Sequence, residues 1–127
     1  MAMSGIRIRT RNGEYRAELD GSDISNAIWL SLPFRTAINM MGGQIYFEMP
    51  IDHADPKEMV TKLNVGDIAY WPKVGALCFF YGPTPLSGDD RLPVSRYPVT
   101  KIGRMIDDCS SMEDAGDRQH ITIEQAF

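Results

Sequence analysis

A mainly β protein, folded as a closed or nearly closed barrel of about eight short strands with one or two short helices, is predicted by three features of the sequence. Apolar and polar residues alternate with a period of two in segment after segment. Gly, Pro, Asn and Asp punctuate those segments at short intervals, and only one stretch shows helical spacing. The chain has 127 residues, 43% of them hydrophobic and 24% charged, which suits one globular domain spanning 1–127. Closing the sheet into a barrel removes the unpaired edges that an open sheet would present.

Residues 5–19, GIRIRTRNGEYRAEL, read as a hairpin. Asn12-Gly13 is the strongest local signal for a two-residue type I′ loop, since both positions tolerate positive φ. That loop sets Arg11 opposite Glu14, Arg9 opposite Arg16, Ile8 opposite Ala17 and Ile6 opposite Leu19. Ile6, Ile8, Ala17 and Leu19 then share a core face, and the charged residues take the other. After the Asp20-Gly21 turn, Ser22 or Asp23 can cap a short helix carrying Ile24, Ala27, Ile28 and Leu32, which Pro33 ends. Trp29 lies off that stripe and is assigned to the core.

Strands are expected at 34–40 and 44–49 around a Met41-Gly42-Gly43 turn, with Ile45, Phe47 and Met49 on one face and Gln44, Tyr46 and Glu48 on the other. Residues 50–66 form a polar excursion with room for one helical turn. Strands follow at 67–71 and 76–81, then a Pro/Gly/Asp-rich loop over 82–97 and a strand at 99–106. Residues 107–117 read as an acidic loop or short helix, and 118–123 as the closing strand.

Composition excludes several functions. The net charge of −4 argues against nucleic acid as a partner, because such affinity rests on basic phosphate contacts. Arg7, Arg9, Arg11 and Arg16 read as a solvated strand face. The longest apolar run, 76–81, falls far short of the ~20 residues of a membrane span. The first residues lack the pattern of a secretory leader, so a cytoplasmic protein is expected. Cys78 and Cys109 form no CxxC pair, which argues against a disulfide framework or a zinc site, and Cys78 reads as a small buried hydrophobe. His53 with Asp55 and Glu58 lacks a second nitrogen or sulfur ligand, and His120 stands alone. The acidic run from Asp107 to Asp117 has no calcium-loop glycine. No metal and no cofactor is expected, and no nucleophile elbow or phosphate-cradling loop occurs.

The stretch GDIAYWP at 66–72, followed by ALCFFYGPTP at 76–85 and Ile102-Gly103-Arg104, resembles a family of small bacterial and archaeal cyclophilin-like proteins. The likeness runs over about 5–123 and takes in the hairpin, Leu32-Pro33 and Tyr46-Phe47-Glu48-Met49-Pro50. It implies a cyclophilin-like β-barrel and raises peptidyl-prolyl isomerisation as an alternative function. True cyclophilins place an arginine on a barrel strand near a Phe-Met-x-Gln-Gly-Gly segment. Here the comparable strand carries Glu48 and the segment is absent, so no catalytic residue is assigned.

The aromatic and proline surface is the remaining feature. Period-two alternation puts Tyr70 and Trp71 on opposite faces, so one of them points away from the core. The favoured expectation is a shallow groove for a peptide or small molecule, lined by Tyr46, Glu48, Trp71, Phe80, Thr84 and Arg104 and flanked by the 82–97 loop. The competing reading makes Trp71 a plug at one barrel end.

Overall fold

Alternation along the chain becomes ten antiparallel strands in the structure, a computed structural model that describes residues 4–56 and 58–126. They are β1 (Ser4–Thr10), β2 (Gly13–Leu19), β3 (Phe34–Ala37), β4 (Asn39–Met41), β5 (Gln44–Glu48), β6 (Val60–Lys62), β7 (Asp67–Trp71), β8 (Ala76–Phe80), β9 (Val94–Met105) and β10 (His120–Gln125). One helix, α1 (Asp23–Leu30), and a 3-10 segment at Ser110–Ala115 complete the described elements. Among the described residues no helix is long and apolar enough to cross a membrane. The first residues, on which the reading of a leader depends, lie outside the described part of the chain.

The sheet order is β3-β10-β1-β2-β9-β7-β8-β5-β4, with β6 attached to β9. Its edges, β3 and β4, are not hydrogen-bonded to each other, yet they are consecutive in the chain and separated only by Ile38. The sheet therefore curls until its edges meet at one covalent joint, giving a nearly closed barrel. Ile38 is buried, its N–H donates to Gln119 O at 2.9 Å, and its carbonyl accepts from Arg118 N at 2.8 Å.

Inward residues make the main core: Ile6, Ile8, Ala17 and Leu19 from the hairpin, Ile45, Phe47 and Met49 from β5, and Ile68 and Tyr70 from β7. α1 contributes Ile24 and Ile28 to this core. Its Ser22 cap accepts from Ser25 N through the side chain, satisfying one of the free amides of the first turn. Trp29 is half-buried against the core and its indole N–H donates to Gly5 O at 3.3 Å. On the outer face of β7 and β8 a second, smaller core gathers Leu63, Ala69, Cys78, Phe80 and Val99, with Val60 packed against it.

Four expectations are corrected. The hairpin pairs Ile8 with Tyr15, Arg9 with Glu14 and Thr10 with Gly13, so its turn is Arg11-Asn12 and not Asn12-Gly13. Distant contacts select this register: Asn12 Nδ2 donates to Ser111 O at 2.9 Å, Arg11 Nε to Asp114 O at 3.2 Å, and the Tyr15 hydroxyl meets Ser111 Oγ at 2.6 Å. The shift moves each partner by two residues, which preserves the faces, gives Arg9 an ion pair with Glu14 at 2.9 Å, and sets Arg7 opposite Arg16, whose charge Asp107 compensates at 2.9 Å. The 50–66 excursion holds β6 in place of a helical turn among its described residues. The loop after β8 ends at Val94 because β9 is a twelve-residue strand that begins earlier than expected. The single strand expected at 34–40 breaks at Ile38 into β3, which pairs with β10, and β4, which pairs with β5, so that with β6 the strand total is ten among the described residues, two more than expected.

Candidate functional site

Cross-strand rows on the outer face define a trough. Tyr46 pairs with Cys78, which pairs with Ala69; Glu48 pairs with Ala76, which pairs with Trp71. Small side chains on the middle strand thus lie between two large aromatics, and adjacent strands stand about 4.8 Å apart. Tyr46 and Trp71 rise on either side of that low floor, both half-buried.

The first residues of β9 cross this face and close its far wall. Tyr97 stacks on Trp71 with ring centroids 4.9 Å apart and planes 16° from parallel. Ser95 is buried and donates its hydroxyl to Tyr97 O at 2.7 Å, holding the bend. Between the walls lies a lobe of about 180 Å³ lined by Gln44, Tyr46, Trp71 and Tyr97, with Met41 and Arg96 at its border. A second lobe of about 240 Å³ is lined by Thr84, Pro85 and Leu86, and it shares Met41 and Arg96 with the first. Leu86 and Tyr97 are exposed apolar groups at the rim. Arg96 is exposed and, among the described residues, makes no ion pair.

Two local devices hold the groove open. Thr84 organises the loop: its Oγ1 donates to Val94 O at 2.6 Å and accepts from Leu86 N and Val94 N, both at 3.3 Å. The Gly42-Gly43 turn is tied to the exit of β8 by Gly43 N donating to Pro83 O and Tyr81 N donating to Gly43 O, each at 2.8 Å. The Tyr81 hydroxyl adds a 2.7 Å bond to Gly42 O.

Burial, reinforced by the carboxylates of Glu113 and Asp114, pushes the Tyr81 phenol up to about 12. A phenol whose folded pKa exceeds its unfolded value of about 10 contributes stability that is complete below pH 10 and lost as pH rises through the folded value. Urea midpoints measured between pH 8 and pH 11.5 are therefore expected to fall more steeply for the native protein than for Tyr81→Phe. Parallel slopes would show that Tyr81 ionises freely.

The residues singled out from sequence occupy distinct places. Tyr46 and Trp71 line the first lobe and Thr84 the second, although the Thr84 hydroxyl is already engaged. Phe80 is buried in the outer core beside the groove, at 1% exposure, and supports it without lining it. Glu48 is exposed at the end of β5, beyond Ala76 from Trp71, and does not line either lobe. Arg104 opposes Asp67 on β7 and pairs with Glu18 at 3.7 Å, three strand spacings from Gln44, so the groove's cation is Arg96 instead. Met41, Gln44, Ser95, Arg96 and Tyr97 were not among the residues the sequence singled out. The stretch Val94-Ser95-Arg96-Tyr97-Pro98-Val99 does carry β-branched and aromatic residues, but Pro98 argues against a strand.

The rest of the molecule offers less. A larger cavity of about 420 Å³ is bordered by Asp20, Asp23, Asp55 and Glu58, and its one described cation, Lys101, is held by Asp67 at 3.1 Å. Among the described residues no three His, Cys, Asp or Glu side chains gather in a metal-holding group. Both cysteines are free and buried; burial raises the Cys78 thiol to about 12 and, with help from Asp108, also raises Cys109. Neither is a poised nucleophile.

A family model described as cyclophilin-like matches residues 4–124. Among solved structures, the chain is similar to the solution structure of a hypothetical protein from Archaeoglobus fulgidus. The two are 29% identical with a TM-score of 0.79, over 98% of this chain and 95% of that one. No curated protein matches.

Proposed function

This chain belongs to the cyclophilin-like family, and we propose that it is a binding module for a peptide or small ligand, received in the groove between Tyr46, Trp71 and Tyr97. The observation that carries this reading is the pairing of an aromatic wall with a floor of small residues and a cation, Arg96, that makes no ion pair among the described residues. Ligand sites are typically concave, mostly apolar and furnished with a few placed polar groups. Two free, buried cysteines support a cytoplasmic setting for that module.

The test is a backbone-amide NMR titration with a panel of N-acetyl dipeptides. Saturable shifts are expected at residues 41–46, at Trp71 and at 95–97, and shifts that scatter over the barrel or fail to saturate would defeat the reading. Isomerase chemistry is the second reading, favoured only by the free Arg96 beside an apolar lobe. The binding-module reading expects a protease-coupled assay on Xaa-Pro peptides to proceed at the uncatalysed rate, over tens to hundreds of seconds.

A further inference from the structure

Three buried side-chain atoms in the described structure lack a hydrogen-bond partner: Gln44 Oε1, Trp71 Nε1 and Glu124 Oε1. The last sits 2.9 Å from Arg9 Nε in an ion pair, so its charge is compensated. The other two belong to residues that line the same 180 Å³ lobe, and Gln44 is only 3% exposed. Unpaired buried polar atoms number only a few per hundred residues, and each calls for a reason. One on the β5 side of the groove and one on the β7 side, an acceptor and a donor, they call for a complement that donates one hydrogen bond and accepts one.

Resting on the binding-module reading, we propose that this groove takes an acylated α-amino acid with a free carboxylate and an apolar side chain, as found at the C-terminus of a peptide. Its amide N–H donates to Gln44 Oε1, and the acyl carbonyl accepts from the Trp71 indole. The carboxylate meets the Arg96 guanidinium, whose fork suits two carboxylate oxygens. Arg96 borders both lobes, so a carboxylate held there leaves the side chain on the same α-carbon facing Met41, Pro85 and Leu86 in the second lobe. Amide, carboxylate and apolar side chain radiate from one α-carbon, and the orphaned pair lines the first lobe, the apolar residues line the second and Arg96 lines both. Tyr97, at 43% exposure, is the wall least held by packing and is the group that turns aside on entry.

The test compares N-acetyl-Ala-Leu with its C-terminal amide, following the side-chain N–H signals of Trp71 and Gln44 by NMR. The free acid is expected to bind about tenfold or more tightly than the amide, because a charge-assisted hydrogen bond is lost. Arg96→Gln removes an exposed side chain without an ion-pair partner, so the variant folds, and it should erase that preference. The Trp71 indole signal should move while that of Trp29, already bonded to Gly5 O, stays in place. Equal affinities for acid and amide, both shifting groove signals, would overturn this inference and leave the binding-module reading intact. Groove shifts with other members of the dipeptide panel but none with either Leu compound would also overturn it. A third arm with N-acetylleucine separates the sources: affinity matching the dipeptide assigns a free N-acyl amino acid, and clearly weaker binding assigns a peptide terminus.

Discussion

Phe47→Ala is expected to destabilise the protein by about 3–5 kcal/mol, a large share of the roughly 5–15 kcal/mol margin of an ordinary domain. Phe47 is 1% exposed on the inner face of β5, paired across to Leu77. Its ring meets Phe79 edge-on at a centroid distance of 5.7 Å and stacks near Phe34 at 6.3 Å. Truncation removes both contacts and leaves a void whose walls are strands already pinned by their ladders. Such walls relax little, which puts the loss near the upper part of the range for large-to-small changes. Phe47→Leu keeps most of the volume and should lose clearly less. Urea unfolding reads the result as a lower midpoint at an unchanged m-value. A loss below about 1 kcal/mol would mean that the Phe34–Phe47–Phe79 cluster is not the packed centre of the barrel.

Gly43→Ala is expected to be as damaging for a different reason, and Gly82→Ala to be mild, although the two glycines face each other. A Cβ on Gly43 would lie 2.1 Å from Gly82 O and 2.2 Å from its carbonyl carbon. A Cβ on Gly82 would find nothing nearer than Gly43 Cα at 3.8 Å. Neither residue has a positive φ, so the asymmetry is steric and owes nothing to left-handed backbone. The clashing atoms are backbone, held by the Gly43–Pro83 and Tyr81–Gly43 hydrogen bonds, and cannot swing away as a flexible side chain would. Gly43→Ala should therefore lose about 3 kcal/mol or more, against a change within about 1 kcal/mol either way for Gly82→Ala. Because Met41 and Gln44 flank the turn, Gly43→Ala should also abolish the groove shifts in the NMR titration. Comparable midpoints for the two variants would disprove the close approach.

What the sequence made legible is what depends on neighbours along the chain. Period-two alternation correctly divided Ile45, Phe47 and Met49 from Tyr46, and Tyr70 from Trp71, because one face of each strand is buried. The Ser22 cap and the end of α1 before Pro33 were readable for the same reason. The hairpin register was not, since Asn12 answers to Ser111, ninety-nine residues away, and not to Gly13. β6 escaped because three residues, two of them exposed and polar, carry no pattern until β9 crosses above them. The same crossing explains the groove. Tyr46 and Trp71 announced themselves as excess aromatics, whereas Gln44 and Arg96 matter only through what lies opposite them in space, and Arg104 looked available until Glu18 was seen to hold it.

The joint at Ile38 gives the barrel a clasp. A sheet with two edges ordinarily offers two rows of unpaired amides to any passing strand, and short edge strands reduce the hazard without abolishing it. Here the edges are four and three residues long, and the amides beside the clasp are already occupied: Ile38 N by Gln119 O, and Met40 N by the Asp117 carboxylate at 3.0 Å. A second molecule seeking to extend the sheet here would have to displace the Asp117 carboxylate from Met40 N and fit beside two short strands joined through a single residue. Resistance to fibril-like stacking at this end thus resides in the 117–119 turn, far in sequence from the strands it protects.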